Sequence, residues 1–242
     1  MYESSLKGWG VRYHAKKILL SSKTQHQQID IIENDDFGRM LFLDGDLQIA
    51  ENDAHIYNQS LIAPLSIKRN NLRTAAILGG GDGGVLCELL KLKPRSVFLV
   101  EIDEGVIAYS KKFIPSIGRK AFNNPKVKIV ISDANEFLKD HDGFDVIIYD
   151  LTMHPESFSR QPRMYYLRQT FSRIYDSLAN DGILSIQCCS ESDYETLRFI
   201  KRNMIKYFNK PPRAYATGYQ SVFKPLLRFA PRPRSLAPLC NI

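Results

Sequence analysis

Beyond residue 71 the chain alternates short apolar runs with helical patterns, and this alternation limits the fold more than any other feature. Apolar runs fall near 75–78, 97–101, 127–131, 145–149 and 182–187. Helical patterns separate and follow them at 85–91, 105–112, 135–139, 164–178 and 194–207. Strands that are apolar nearly throughout belong to a parallel sheet covered on both faces. The expected core is a doubly wound α/β sheet.

The first 60 residues read differently. Runs at 16–21, 27–32 and 40–43 are separated by turn-rich pieces, Asn34-Asp35-Asp36 and Asp44-Gly45-Asp46. They predict a small antiparallel sheet of hairpins over about residues 10–52, with edge strands suited to a partner subunit. A helix is expected at 54–67. The division is therefore a β-hairpin domain at 1–53 and an α/β domain at 54–242, whose end, from about 223, is atypical and basic.

Composition sets limits on partners. The 242 residues are 44% hydrophobic and 24% charged, enough for one sizeable core with a small appended unit. No run of apolar residues is long enough to span a bilayer, and the start, MYESSLKGWG, does not read as a signal peptide. Cys87, Cys188, Cys189 and Cys240 lack metal-ligand spacing, so a reduced, cytoplasmic chain without a metal is expected. The net charge of +7 is uneven: residues 196–242 hold ten Lys and Arg and no acid, while the first 195 carry 23 basic and 26 acidic groups. A basic arm of this kind can bind nucleic acid, but the tail carries no recognised nucleic-acid motif, so that partner is not expected.

The strongest local signal is Gly79-Gly80-Gly81-Asp82-Gly83-Gly84, directly after the first core strand and opening a helix. Glycines there permit a tight turn and a close approach of ligand to backbone, although a plain turn selects them too. Glu101 ends the second strand, Asp133 follows the third, and Asp150 ends the fourth. Each alone reads as a helix cap or turn residue. Together with Asp82 they predict an acidic carboxyl edge, where open α/β sheets bind ligands. Asp82 would repel a pyrophosphate or an amino-acid carboxylate, so a nucleoside ending in a cationic amine fits better. In that fit Asp82 and Asp150 hold the ammonium, Glu101 takes the ribose hydroxyls, and Asp133 lies near the adenine amino group.

From Gln27 to Gln187 the sequence resembles the polyamine aminopropyltransferases, the spermidine and spermine synthases. The residues that carry the resemblance are Gln27, Leu43-Asp44-Gly45, Gln48, Asp53 and Tyr57, then the Gly79–Gly84 loop, Val100-Glu101-Ile102-Asp103-Glu104, Ser132-Asp133-Ala134 and Asp150. The resemblance implies a small β domain followed by a Rossmann-like, methyltransferase-type sheet. It implies transfer of an aminopropyl group from decarboxylated S-adenosylmethionine to a polyamine, with methylthioadenosine released. That donor is a co-substrate, and no separate cofactor is implied. Asp150 becomes the base or orienter of the attacking amine, and Tyr57 its hydrogen-bonding partner. Gln27, Gly79, Gly80, Gly81, Asp82, Gly83, Glu101, Asp133 and Ala134 are assigned to the donor, and Gln48, Asp53, Tyr57, Asp150 and Thr152 to the acceptor. A homodimer is expected.

The sequence departs from the family in three places. Asp150-Leu151-Thr152-Met153-His154-Pro155 stands where spermidine synthases have Asp-Ser-Ser-Asp-Pro; it resembles the animal spermine synthase form and suggests a longer acceptor such as spermidine. Ala54 and Tyr57-Asn58-Gln59 lack the usual acids, and His154 is either an acceptor contact or a surface histidine. In the tail, prolines at 225, 231 and 233 argue against a regular strand over 224–234, so that either the last strand is short and at an edge or the carboxyl end has diverged from the family. Two rival functions remain on sequence grounds: a methyltransferase of the same core fold, and a non-catalytic polyamine- or nucleoside-binding protein.

Overall fold

A computed structural model of the chain describes residues 2–6, 9–68, 72–152, 155, 159–188, 193–208, 213–215 and 226–229. His154 and most of the basic tail lie outside the described residues.

A hairpin of β1 (Tyr2–Leu6) and β2 (Trp9–Tyr13) precedes an antiparallel meander of β3 (Lys17–Lys23), β4 (Gln28–Asn34), β5 (Gly38–Leu43) and β6 (Asp46–Ala50). Strands β4 to β6 are buried on both faces because they alternate between two apolar clusters, whereas β3 has no fully buried residue. Ile29, Ile31 and Leu41 pack on Val106, Ile114 and Ile117 of the larger unit, whereas Ile32, Met40, Phe42 and Leu47 pack with Tyr13. The hairpin strand β1 was not foreseen, since its sequence YESSL has no clean alternation.

Helix α1 (Ala54–Ile62) ends earlier than the sequence suggested; residues 63–68 tighten into a 3₁₀ turn at Pro64. The large sheet follows. Its strands are β7 (Thr74–Gly79), β8 (Ser96–Glu101), β9 (Val127–Ile131), β10 (Phe144–Asp150) and β11 (Leu178–Gln187). Two further strands are β12 (Arg213–Tyr215) and β13 (Leu226–Phe229). The spatial order is β12-β13-β11-β10-β7-β8-β9, parallel from β11 to β9. The helices are α2 (Gly84–Leu90), α3 (Glu104–Phe113), α4 (Pro115–Gly118), α5 (Ala134–Phe137), α6 (Arg163–Ser177) and α7 (Tyr194–Phe208).

Strand β10 explains why these runs are apolar throughout. Val146 and Ile148 point into the cluster under α1 and α2, while Ile147 and Tyr149 point into the cluster under α5, α6 and α7. Both faces are dry, so both parities of the strand must be apolar. At the other end, β13 corrects the expectation drawn from the prolines. Pro225 and Pro231 flank the strand instead of interrupting it, so its own N–H groups remain for pairing. It lies between β11 and β12 rather than at the edge, with Leu184 opposite Phe229 and Arg213 opposite Arg228.

Candidate active site

The chain runs outward from β7 to β8 and β9, then returns to place β10 on the other side of β7. This reversal opens a crevice at the carboxyl ends of β7 and β10, the usual ligand site of such sheets. Asp150 is paired in register with Gly79. Gly79 has φ +82°, and a Cβ there would lie 2.2 Å from the Asp150 carbonyl oxygen. Two positions on, a Cβ at Gly81 would meet the Glu101 carboxylate at 2.8 Å. The glycines thus bring the loop backbone against both acids.

A cavity of about 210 Å³ fills the crevice, roofed by the β5–β6 hairpin tip of the small sheet. Its lining includes five carboxylates, Asp44, Asp46, Asp82, Glu101 and Asp150, and no Lys or Arg. Such a site favours a cation. Burial pushes the Glu101 carboxyl up to about 7, against the pull of backbone N–H groups from Asp103, Ile102 and Gly81. Asp82 accepts from the Gly84 N–H at 2.8 Å, which shapes the loop.

Tyr57, carried by α1, bonds both the Asp150 carboxylate and the Gln187 side chain. A phenol has one proton to donate, so the Gln187 amide can serve it as donor while Tyr57 donates to Asp150. Contacts between the small sheet and α3 hold the roof in place. Gln27 Nε2 and Thr24 Oγ1 both donate to Asp103 Oδ2, at 3.0 and 2.7 Å, and Asp103 Oδ1 caps α3 through the Gly105 N–H. Ser22 and Tyr109 are 3.0 Å apart, and Arg39 Nη1 donates to the Phe113 carbonyl at 2.6 Å.

Of the residues assigned from sequence, Gln27, Gln48, Tyr57, Asp82, Glu101, Asp150 and Thr152 line this cavity, together with Gly79, Gly80 and Gly81. Gly83, Asp53, Asp133 and Ala134 are not in its lining. Gly83 stands at the N-cap of α2. Asp53 is buried at the start of α1; the Tyr13 phenol is raised by its own burial and, after that, by the charge of Asp53. Asp133 caps α5, accepting from the N–H groups of Asn135 and Glu136 at 2.7 and 3.1 Å, and Tyr166 donates to its second oxygen at 3.1 Å. Asp44, Asp46, His26 and Gln187 are further polar residues of the lining, and none of them had been assigned a role. The turn Asp44-Gly45-Asp46 was visible in the sequence, but its placement over the crevice was not.

The fold and site define a Rossmann-like α/β protein with an acid-lined pocket at the switch point of its sheet. A family model, the spermine/spermidine synthase domain, matches residues 54–219, and a second, the spermidine synthase tetramerisation domain, matches residues 1–51. The chain belongs to the spermine/spermidine synthase family. Among its relatives, a polyamine aminopropyltransferase of Thermococcus onnurineus is 35% identical over 186 residues, covering 76% of this chain. Polyamine aminopropyltransferase 1 of Aquifex aeolicus is 38% identical over 178 residues, covering 72%. The match spans 64% and 61% of the length of those two relatives. A crystal structure of spermidine synthase with the transition-state analogue AdoDATO superposes with a TM-score of 0.83 at 27% identity, covering 96% of this chain and 79% of that one. The Thermotoga maritima spermidine synthase superposes with the same TM-score at 26% identity, covering the same shares.

Proposed function

We propose that the chain is a polyamine aminopropyltransferase that moves the aminopropyl group of decarboxylated S-adenosylmethionine to putrescine or spermidine. The observation that carries this reading is the cavity beside the glycine-rich loop, with five carboxylates and no Lys or Arg in its lining. Donor and acceptor are both cationic there, and the product nucleoside is neutral.

In the reaction, an acceptor nitrogen attacks the carbon next to the sulfonium. The carbon–sulfur bond breaks with its electron pair passing to sulfur, which leaves as the thioether of methylthioadenosine. The attacking amine is ordinarily protonated at neutral pH and must first lose a proton. Asp150, oriented by Tyr57, accepts that proton or aligns the free amine. Asp82 and Gln27 hold the donor's aminopropyl end, and Glu101 takes the ribose. Gly83, Asp133 and Ala134 contribute to the donor site through loop and helix ends instead of the cavity wall, and Asp53 contributes to the acceptor site by fixing the start of α1, which carries Tyr57. Asp44 and Asp46 at the hairpin tip supply negative charge for a dicationic acceptor, offsetting the acids absent after Asp53 and Tyr57.

The segment 1–51 makes self-assembly part of the same reading, with the homodimer as its smallest form, supported by its match to a tetramerisation domain. No described helix is long and apolar enough to cross a membrane, and a cytoplasmic setting is part of the same proposal.

Calorimetric titration with decarboxylated and intact S-adenosylmethionine tests the donor assignment. The extra carboxylate of the intact molecule would lie near Asp82, so the decarboxylated form should bind at least about tenfold more tightly. Tighter binding of the intact form would favour a methyltransferase instead.

A further inference from the structure

The positive charge that the acidic cavity does not use has a definite location. Four of the ten basic residues beyond position 195, namely Arg198, Lys201, Arg202 and Lys206, lie on α7 and not in the tail that follows it. Helix α7 buries Ile200, Met204 and Phe208 against the core and leaves these cations exposed. Arg198, Arg202 and Lys206 recur every four residues, so they form a row about 6 Å apart along the helix.

That row lines an open groove of about 710 Å³ between α6 and α7. Arg168 faces it from α6, its guanidinium 5.8 Å from the centre of the Phe199 ring. At one end stands Tyr194, with 73% of its surface exposed. Among the described residues none of the four lining cations is ion-paired, and Glu195 is the one acid in the lining. The groove shares no residue with the acidic cavity.

We propose that this groove is a docking surface for a single-stranded nucleic acid, held through its phosphates. A regular row of cations matches a repeating polyanion better than a single phosphate, which calls for converging donors. Three of the four are Arg, whose planar fork pairs with phosphate oxygens and stacks on rings. The exposed Tyr194 offers a face on which a base can stack. A cleft between two helices also suits a strand more than a flat membrane surface. The proposal is independent of the aminopropyl-transfer reading.

The test is fluorescence anisotropy of a 5′-fluorescein-labelled oligouridine titrated with the full chain over a range of salt. About four phosphate contacts predict a slope of about −3 for log K against log salt. Arg198→Ala with Arg202→Ala should weaken binding about tenfold or more and reduce the slope to about −1.4. Arg168→Ala, from the other wall, should weaken it about threefold or more, which keeps the test decisive should the double variant fail to fold. Replacing Arg228, Arg232 and Arg234 by Ala should change it less than about twofold, and methylthioadenosine affinity should be unchanged in the Arg168 variant. The proposal is overturned by absence of binding at low salt, by groove variants that bind normally, or by loss of binding in the tail variant alone. Equal or tighter binding of a poly-glutamate peptide would overturn it as well.

Discussion

The pocket makes a prediction about pH that depends on one buried carboxyl. Glu101 is 7% exposed, and burial raises its folded pKa from 4.5 to about 7. In the unfolded chain the same carboxyl titrates near its ordinary value, so between these points the folded state binds the proton more tightly. The resulting stability is fully present below the unfolded pKa and is lost as pH rises through the folded one. From about pH 5 to about pH 8 the loss is on the order of 2–3 kcal/mol. Glu101→Gln keeps the shape and removes the titration. Urea denaturation of both proteins without ligand should therefore show the wild type falling by about 2–3 kcal/mol relative to the variant across that interval. Parallel stability profiles would refute the reasoning, because they would mean that Glu101 is ionised in the folded protein throughout.

Other perturbations follow from the same geometry. Tyr57→Phe removes the hydroxyl that bonds Asp150 and Gln187, and should lower kcat by about tenfold to a hundredfold with donor affinity kept; steady-state kinetics and calorimetry would separate the two. Gly79→Ala would force a Cβ to within 2.2 Å of the Asp150 carbonyl oxygen at a positive φ. A loss on the order of 3 kcal/mol or more should appear in thermal or urea unfolding. Asp133→Ala removes the cap of α5 and should cost about 1 kcal/mol, lowering Tm by about 2–4 °C.

What the sequence disclosed and what it hid have physical reasons. The core strands were legible because a strand dry on both faces must be apolar at every position, as Val146 to Tyr149 are. The glycine-rich loop was legible because the close approach of Asp150 to Gly79 excludes side chains. Asp133 was harder, because a helix cap and a ligand contact call for the same residue at the same place after a strand. Asp44 and Asp46 looked like ordinary turn acids; only the packing of the small sheet on α3 brings their hairpin over the crevice. Gln187 carried no periodic signal, and its role depends on Tyr57, 130 residues away in sequence. The basic excess, apparent from composition alone, seemed to describe a tail, whereas part of it forms the exposed face of α7.

The most direct test of aminopropyl transfer is product identity. The full chain would be incubated with decarboxylated S-adenosylmethionine and with putrescine and spermidine in competition, and nucleoside and amine products separated. The expected result is methylthioadenosine in equal amount to a newly aminopropylated polyamine, with both lost in Asp150→Asn. No methylthioadenosine with any polyamine, from a protein that binds the donor, would contradict the central claim and leave a binding protein in its place.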